Sequence, residues 1–332
     1  MENEKTLKFN PEDMMKAADE RFLELMKNGK YAELLATMPT LGRYSLRNQL
    51  LILMQNPNAT NVNQMRAWNY QKRHIVKGEK AMKIITPKFG KQVVTDENGN
   101  AVEKTLDKIT GYEVGFVYDA AQTDGDEPLK DVLAAGATDE HYDLIRSALQ
   151  DTAKGYEFKT HDESEDKSHA VLDTLNKTIS IRSDLSKEDA LLVLIRQVAT
   201  ANVLGRDRRN FQGLTPNEME NIRAVETSAI AFTVAKRLHL EDQKLTVPDF
   251  KDMQDADIAK FADNLGVIRS VSQRMINTAE GAVNNFLYEQ AKAQAEQEAA
   301  ESAAAQPEQQ PAPAKPTAKR TTQRTKKAEV AM

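Results

Sequence analysis

Residues 44–87 read YSLRNQLLILMQNPNATNVNQMRAWNYQKRHIVKGEKAMKIITP, and the hydrophobic period changes within them. Leu46, Leu50, Leu53 and Met54 recur at helical spacing, with Arg43 and Arg47 to the other side, until Asn56-Pro57 ends the helix. From His74 the segments HIV, AMKIITP, KQVVT and GYEVGFVYD are short and rich in β-branched or aromatic residues. Asn98-Gly99, inside ENGN, is a hairpin turn signal between two of them. A helix giving way to paired strands predicts a small α+β unit.

Upstream, FNPEDMMKAADERFLELM carries the marks of a helix start. Asn10 accepts from free amides, Pro11 needs no donor in the first turn, and Glu12 and Asp13 suit the positive end of the dipole. The unit is expected over 8–123, and QTDGDEP opens a linker over 124–135. Residues 136–300 then read as mostly helical. A helix near TDEHYDLIRSALQDTAKG precedes a hairpin of HAVLD and TISIR joined by TLNK. Ser186-Lys187-Glu188-Asp189 reads as a capping box before ALLVLIRQVATANVLG. Further helices cover NEMENIRAVETSAIAFTVAKRL and much of 266–300. The expected fold class is α+β: a small N-terminal α+β domain and a mostly helical C-terminal domain with one short hairpin.

The Pro-, Ala- and Gln-rich segment 306–332 cannot build a core and is predicted to be disordered. Its six Lys or Arg against two Glu would either add non-specific nucleic-acid affinity or merely solubilise. The 332 residues contain no cysteine, which removes disulfides and thiol chemistry. No apolar run reaches the roughly 20 residues of a bilayer span. MENEKTLKFN lacks a signal-peptide core, so a soluble cytoplasmic protein without membrane contact is expected. No Walker loop, dinucleotide fingerprint or EF-hand is present, and no cofactor is expected.

The formal net charge is −5, yet between Leu41 and Lys91 ten Lys or Arg accompany a single acid, Glu79. The positive charge is therefore segregated. Basic side chains displace counterions from phosphates, and the interleaved Tyr44, Trp68, Tyr70 and Phe89 offer faces for unpaired bases. Duplex DNA hides those base faces, so the mixture favours a single strand. Asn48, Gln55 and Gln71 would add hydrogen bonds. The competing reading is a solvated charged surface with Trp68, the chain's one tryptophan, in the core.

The arrangement resembles the N-terminal domain of ArdC-type antirestriction proteins and related LtrC-like and primase proteins of plasmids and conjugative elements. The resemblance rests on Ser45 and Asn48, Gln55, Pro57, Ala59-Thr60, Trp68, Arg73, Val76, Lys77-Gly78-Glu79-Lys80, Ile84 to Pro87, and FVYDAAQT up to Thr123. It implies binding of single-stranded DNA. Arg43, Arg47, Arg73, Lys77, Lys80 and Lys83 are the expected phosphate contacts, and Tyr44, Trp68 and Tyr70 the stacking candidates. Gly78 suits a turn between strands, and Glu79 would orient a neighbouring base of the patch.

The second half resembles the zinc-metallopeptidase domain that follows in ArdC, and is similar to the ImmA/IrrE peptidases, which implies a zincin-like outline. Those enzymes carry H-E-x-x-H on a helix, two His on one face for zinc and a Glu to activate water. In LIRQVATANVLG the matching positions hold Arg196, Gln197 and Thr200. Arginine stays protonated and glutamine is no base, so no metal and no peptidase catalysis are expected. Glu226 falls where the family's third ligand would lie, and an Arg196–Glu226 ion pair in place of the metal is one expectation, Arg196 simply reaching solvent the other. Single-stranded-DNA binding for a mobile element, in antirestriction or strand protection during transfer, is the leading function. The alternative is a protein-interaction module using an inactive peptidase-like cleft.

Overall fold

The computed structural model describes residues 10–95, 100–127, 131–133, 140–206, 213–240 and 245–304. The described residues up to Phe286 form one compact unit, and those from Leu287 a second.

Helix α1 (Pro11–Lys27) starts as its sequence dictates: Asn10 accepts from the Asp13 amide at 2.8 Å, and Pro11 occupies the first turn. It buries Met14, Ala18, Phe22 and Met26, one residue per turn. Helix α2 (Tyr31–Thr37) follows, then α3 (Leu46–Gln55), capped by Ser45. The expected face of α3 is part of the buried side: Leu50 is buried, and Leu46 and Leu53 pack against the core. Leu50, Leu51 and Ile52 are buried together with Asn48 and Gln49, whereas Met54 is exposed. Apolar spacing alone missed the rest of that side because two of its inward positions are amides bonded to main chain.

Strand β1 (Val62–Asn63), helix α4 (Met65–Tyr70) and strand β2 (Arg73–Ile75) lead into two long strands, β3 (Met82–Thr95) and β4 (Ala101–Asp119). The expected separate short strands are continuous, and β3 pairs antiparallel with β4 from Met82↔Val117 out to Thr95↔Ala101. Register shifts flank Phe89, and beyond them the ribbon is largely exposed. The turn read at Asn98-Gly99 lies outside the described residues. β1 adds to the free side of β4, giving the order β1-β4-β3. A 3-10 turn (Ala120–Gln122) leads to β5 (Thr123–Gly125), which pairs with β2. Gly125 is required there: its φ is +122°, and a Cβ would collide with the Lys72 carbonyl.

After α5 (Tyr142–Thr152) come β6 (Glu157–His161), β7 (Ala170–Asp173) and β8 (Thr178–Arg182). The β7–β8 hairpin is as expected. Strand β6 was not foreseen, and pairs parallel to β8 on its other side. Helices α6 (Lys187–Leu204), α7 (Pro216–Arg237) and α8 (Asp255–Ala304) complete the described chain. Ser186 caps α6, accepting from the Asp189 amide at 3.1 Å. α6 buries most of Leu191 to Val203, and α7 nearly all of Glu226 to Ala235; helices apolar on most sides belong in an interior.

The core is continuous across the expected linker. Met14, Phe22 and Leu35 share one cluster with Ile145, Ile195, Ile230 and Met275. Tyr31 of α2 stands edge-on to Phe250 and Phe261, ring centres 4.9 and 5.7 Å away. A smaller cluster of Leu41, Ile52, Val62, Met82, Ile84 and Val117 lies where α3 meets the β3–β4 sheet. The chain is α+β. Among the described residues no helix is long and apolar enough to cross a membrane. The tail read at 306–332 lies outside the described residues.

Candidate nucleic-acid interface

Several expected contacts turn inward. Asn48 donates from Nδ2 to the Ile85 carbonyl and accepts at Oδ1 from the Ile85 amide, both at 2.8 Å. Two helical turns on, Gln55 does the same with Lys83, at 2.9 and 2.8 Å. These side chains are engaged by the main chain of β3 and are not turned toward a ligand. Ser45 is a helix cap, with the Asn48 amide 3.4 Å from its hydroxyl. Gln49, which the sequence did not single out, donates to the carbonyls of Leu41 and Tyr44 at 3.1 and 3.2 Å and holds the loop that carries Arg43.

Trp68 is 0 % exposed, and its indole N–H donates to the Tyr118 carbonyl at 3.0 Å. Its ring cannot stack on a base; of its two readings, the core one describes the structure. Arg73 is 7 % exposed. Its guanidinium donates to the Thr123 hydroxyl at 2.8 Å and carbonyl at 2.7 Å, and to the carbonyls of Ala120 and Asp126. It ties β2 to the chain after β4 and is withdrawn from phosphate contact. Arg47 is on the surface but forks onto Asp19 at 2.8 and 3.0 Å. Glu79 is also engaged within the fold. Gln122 donates to its carboxylate and to the Lys80 carbonyl, both at 2.9 Å, and so pins the turn that Gly78 makes with φ +101°.

The remaining candidates are exposed or half-buried. Tyr70 is 91 % exposed at the end of α4. Lys77 and Lys80 are exposed, Lys83 half-buried. Lys80 and Gly78 also border a shallow cavity of about 470 Å³ with Gln55 and Met82. Arg43 is exposed and hydrogen-bonds Asn63. Tyr44 is half-buried, its hydroxyl donating to the Val62 carbonyl at 2.9 Å. Burial pushes that hydroxyl up to about 12, with Arg43 pulling the other way.

Strand β4 supplies two aromatic residues that the sequence reading passed over. Phe116 is 54 % exposed and is the cross-strand partner of Lys83; Tyr112, also exposed, is the partner of Pro87. Directly opposed residues of an antiparallel pair share a face, so Lys83, Phe116 and Tyr112 lie on one side of the ribbon. The signal was present as Tyr112, Val114, Phe116 and Tyr118 alternating with Glu113, Gly115 and Val117.

On α6, Arg196 is exposed, and Gln197 and Thr200 are half-buried. The Thr200 hydroxyl donates to the Arg196 carbonyl at 2.9 Å. Glu226 on α7 is fully buried, and its charge, after burial itself, raises the Tyr31 hydroxyl above its ordinary range. Among the described residues no ion pair joins Arg196 to Glu226. Arg196 keeps its hydration on the outer side of α6, whereas entering the interior would carry a desolvation cost of several kcal/mol. A guanidinium, an amide and a self-bonded hydroxyl do not fit a zinc ion.

Residues 15–117 match the family model described as the N-terminal domain of anti-restriction factor ArdC. Two solved structures of the antirestriction protein ArdC from plasmid R388 are similar to the chain. The metal-free form has 14 % identity and a TM-score of 0.46, covering 82 % of this chain and 98 % of that one. The Mn(II)-bound form has 15 % identity and a TM-score of 0.40, covering 81 % and 95 %. No curated protein matches the chain.

Proposed function

We propose that this chain, whose residues 15–117 are an ArdC-type N-terminal domain, serves an antirestriction-related role by binding single-stranded DNA. The observation that carries the reading is the pairing of Lys83 with the solvent-exposed Phe116 on one face of the β3–β4 ribbon. A cation beside an open aromatic face suits a phosphate and its unpaired base, and a duplex presents no such base. Lys77 and Lys80 extend the phosphate contacts, and Tyr70 adds a second stacking surface. In this reading the domain coats strand during transfer of a mobile element and acts without peptidase chemistry. The side chains of Arg196, Gln197 and Thr200 support that last point, since they provide neither ligands nor a base.

Fluorescence anisotropy with single-stranded and duplex oligonucleotides over a salt series tests the reading. The Lys77→Ala, Lys80→Ala, Lys83→Ala triple variant is run beside the native chain. Preference for the single strand is expected, with the slope of log affinity against log salt reduced by about 2 in the variant, since each single-strand phosphate contact contributes roughly 0.7. Equal affinity for duplex, or an unchanged slope, would sink it.

A further inference from the structure

A second site lies apart from both the ribbon face and the peptidase-like positions. A cavity of about 880 Å³ opens between the loop before α3, strand β1, the end of α7 and one face of α8. That is within the roughly 300–1,000 Å³ of small-ligand sites. None of Arg196, Gln197, Thr200 or Glu226 lines it.

Its chemistry is specific. Gln273, Asn277, Glu280 and Asn284 recur at helical spacing along α8 and all line the cavity, while Ile276, Ala279 and Val283 of the same helix are buried. The two carboxylates of the cavity are already engaged: Arg237 donates to Asp131 and to Glu280, each at 2.6 Å. What remains on the α8 wall is neutral amide. Asn277 accepts from Gln273 at 2.6 Å, which leaves its own NH₂ to donate. Arg43 and Tyr44, from the loop before α3, line the same cavity.

That loop and α8 are fastened together. Arg269 of α8 donates to the Gly42 carbonyl at 3.2 Å and to the Tyr44 carbonyl at 3.4 Å. Gly42 approaches Gln273 so closely that a Cβ would collide with the Gln273 side chain. The cavity is therefore a standing feature, formed before any ligand arrives.

A neutral row of amides sharing one cavity with an exposed guanidinium complements a planar group with alternating donors and acceptors that carries an anion. A nucleotide has this form, its base edge read by amides and its phosphate by arginine. We propose that this cleft receives one nucleotide of the bound single strand, its phosphate at Arg43 and its base against Asn277 and Asn284. The inference rests on the strand-binding reading above and deepens it. Arg43 and Tyr44 lie in the same matched segment, 15–117, as the ribbon face, so in this proposal one strand engages both.

The test is photo-crosslinking of the full chain to oligothymidylate carrying 4-thiothymidine, mapped by mass spectrometry, with anisotropy run in parallel. Adducts on peptides containing Tyr44 or His239, a further cavity-lining residue, are expected besides those at Tyr70 and Phe116. The Asn277→Ala, Asn284→Ala double variant should lose the cleft adducts about tenfold, as two lost hydrogen bonds imply, while ribbon adducts persist. Adducts confined to the ribbon face, with tight binding by anisotropy, would overturn the cleft and leave the strand-binding reading standing. Cleft adducts undiminished in the double variant would overturn the amide assignment. Absence of strand binding altogether would overturn both. Free dAMP that abolishes cleft adducts at low concentration, with strand affinity unchanged, would identify a free nucleotide as the ligand and overturn the strand assignment.

Discussion

Asn48 and Ile85 exchange two hydrogen bonds of 2.8 Å, so that a side-chain amide on α3 completes the main chain of β3. Asn48→Ala leaves a buried N–H and a buried C=O unpaired, each costing about 1–3 kcal/mol. The expected result is a fall in the urea midpoint, with the DNA affinity of the folded fraction unchanged. An affinity loss at full stability would instead make Asn48 a contact residue.

Trp68 is the chain's only tryptophan and is fully buried. Its emission should be blue-shifted, resist acrylamide, and stay constant as single-stranded DNA is added. Strong quenching by DNA would contradict the placement of the ring behind Tyr118.

Tyr70→Ala and Phe116→Ala should each leave thermal unfolding almost unchanged and weaken single-strand binding by about 1–3 kcal/mol, the usual worth of one stacked base. Duplex affinity should change less. Equal losses for the two nucleic acids would assign these rings to something other than stacking.

Glu218 links stability to acid. The Thr215 hydroxyl, and then the Thr215 amide, hydrogen-bond its carboxylate and hold it below its ordinary 4.5. A carboxylate lowered in the fold stabilises above its unfolded pKa, and that contribution disappears as pH falls through the folded value. Glu218→Gln keeps an acceptor for the Thr215 amide at every pH. The variant should therefore lose less stability than the native chain as pH drops below about 4.5. Parallel pH profiles of the urea midpoint would refute this.

Capping and hairpin signals were legible because they are local. Asn10 and Pro11 start α1 where expected, and β7 meets β8 around the expected turn. The site was legible in its charge and in some of its members, such as Lys77, Lys80, Lys83 and Tyr70, but not in others. Asn48, Gln55, Trp68 and Arg73 are polar or aromatic residues in a basic segment, and composition does not reveal whether a donor faces a ligand or a carbonyl brought near by the fold. For Arg73 the carbonyls of Ala120 and Thr123 lie 47 and 50 residues away. Phe116 stood in a visible strand alternation, but which face of that strand the rest of the chain leaves open follows from the fold. The polar row on α8 was readable at helical spacing, yet its significance depends on the loop at Gly42 meeting it.

Antiparallel ribbons have margins, and an unguarded margin recruits other chains into mixed sheets. The outward-facing residues of β3 alternate, and three in succession are closed. Lys83 is occupied by Gln55, Ile85 by Asn48, and Pro87 has no amide hydrogen to offer. Molecules crowded side by side along one strand of DNA would meet at high local concentration. The helix that shapes this domain then also acts as its insulation, allowing neighbours to press together without fusing their sheets.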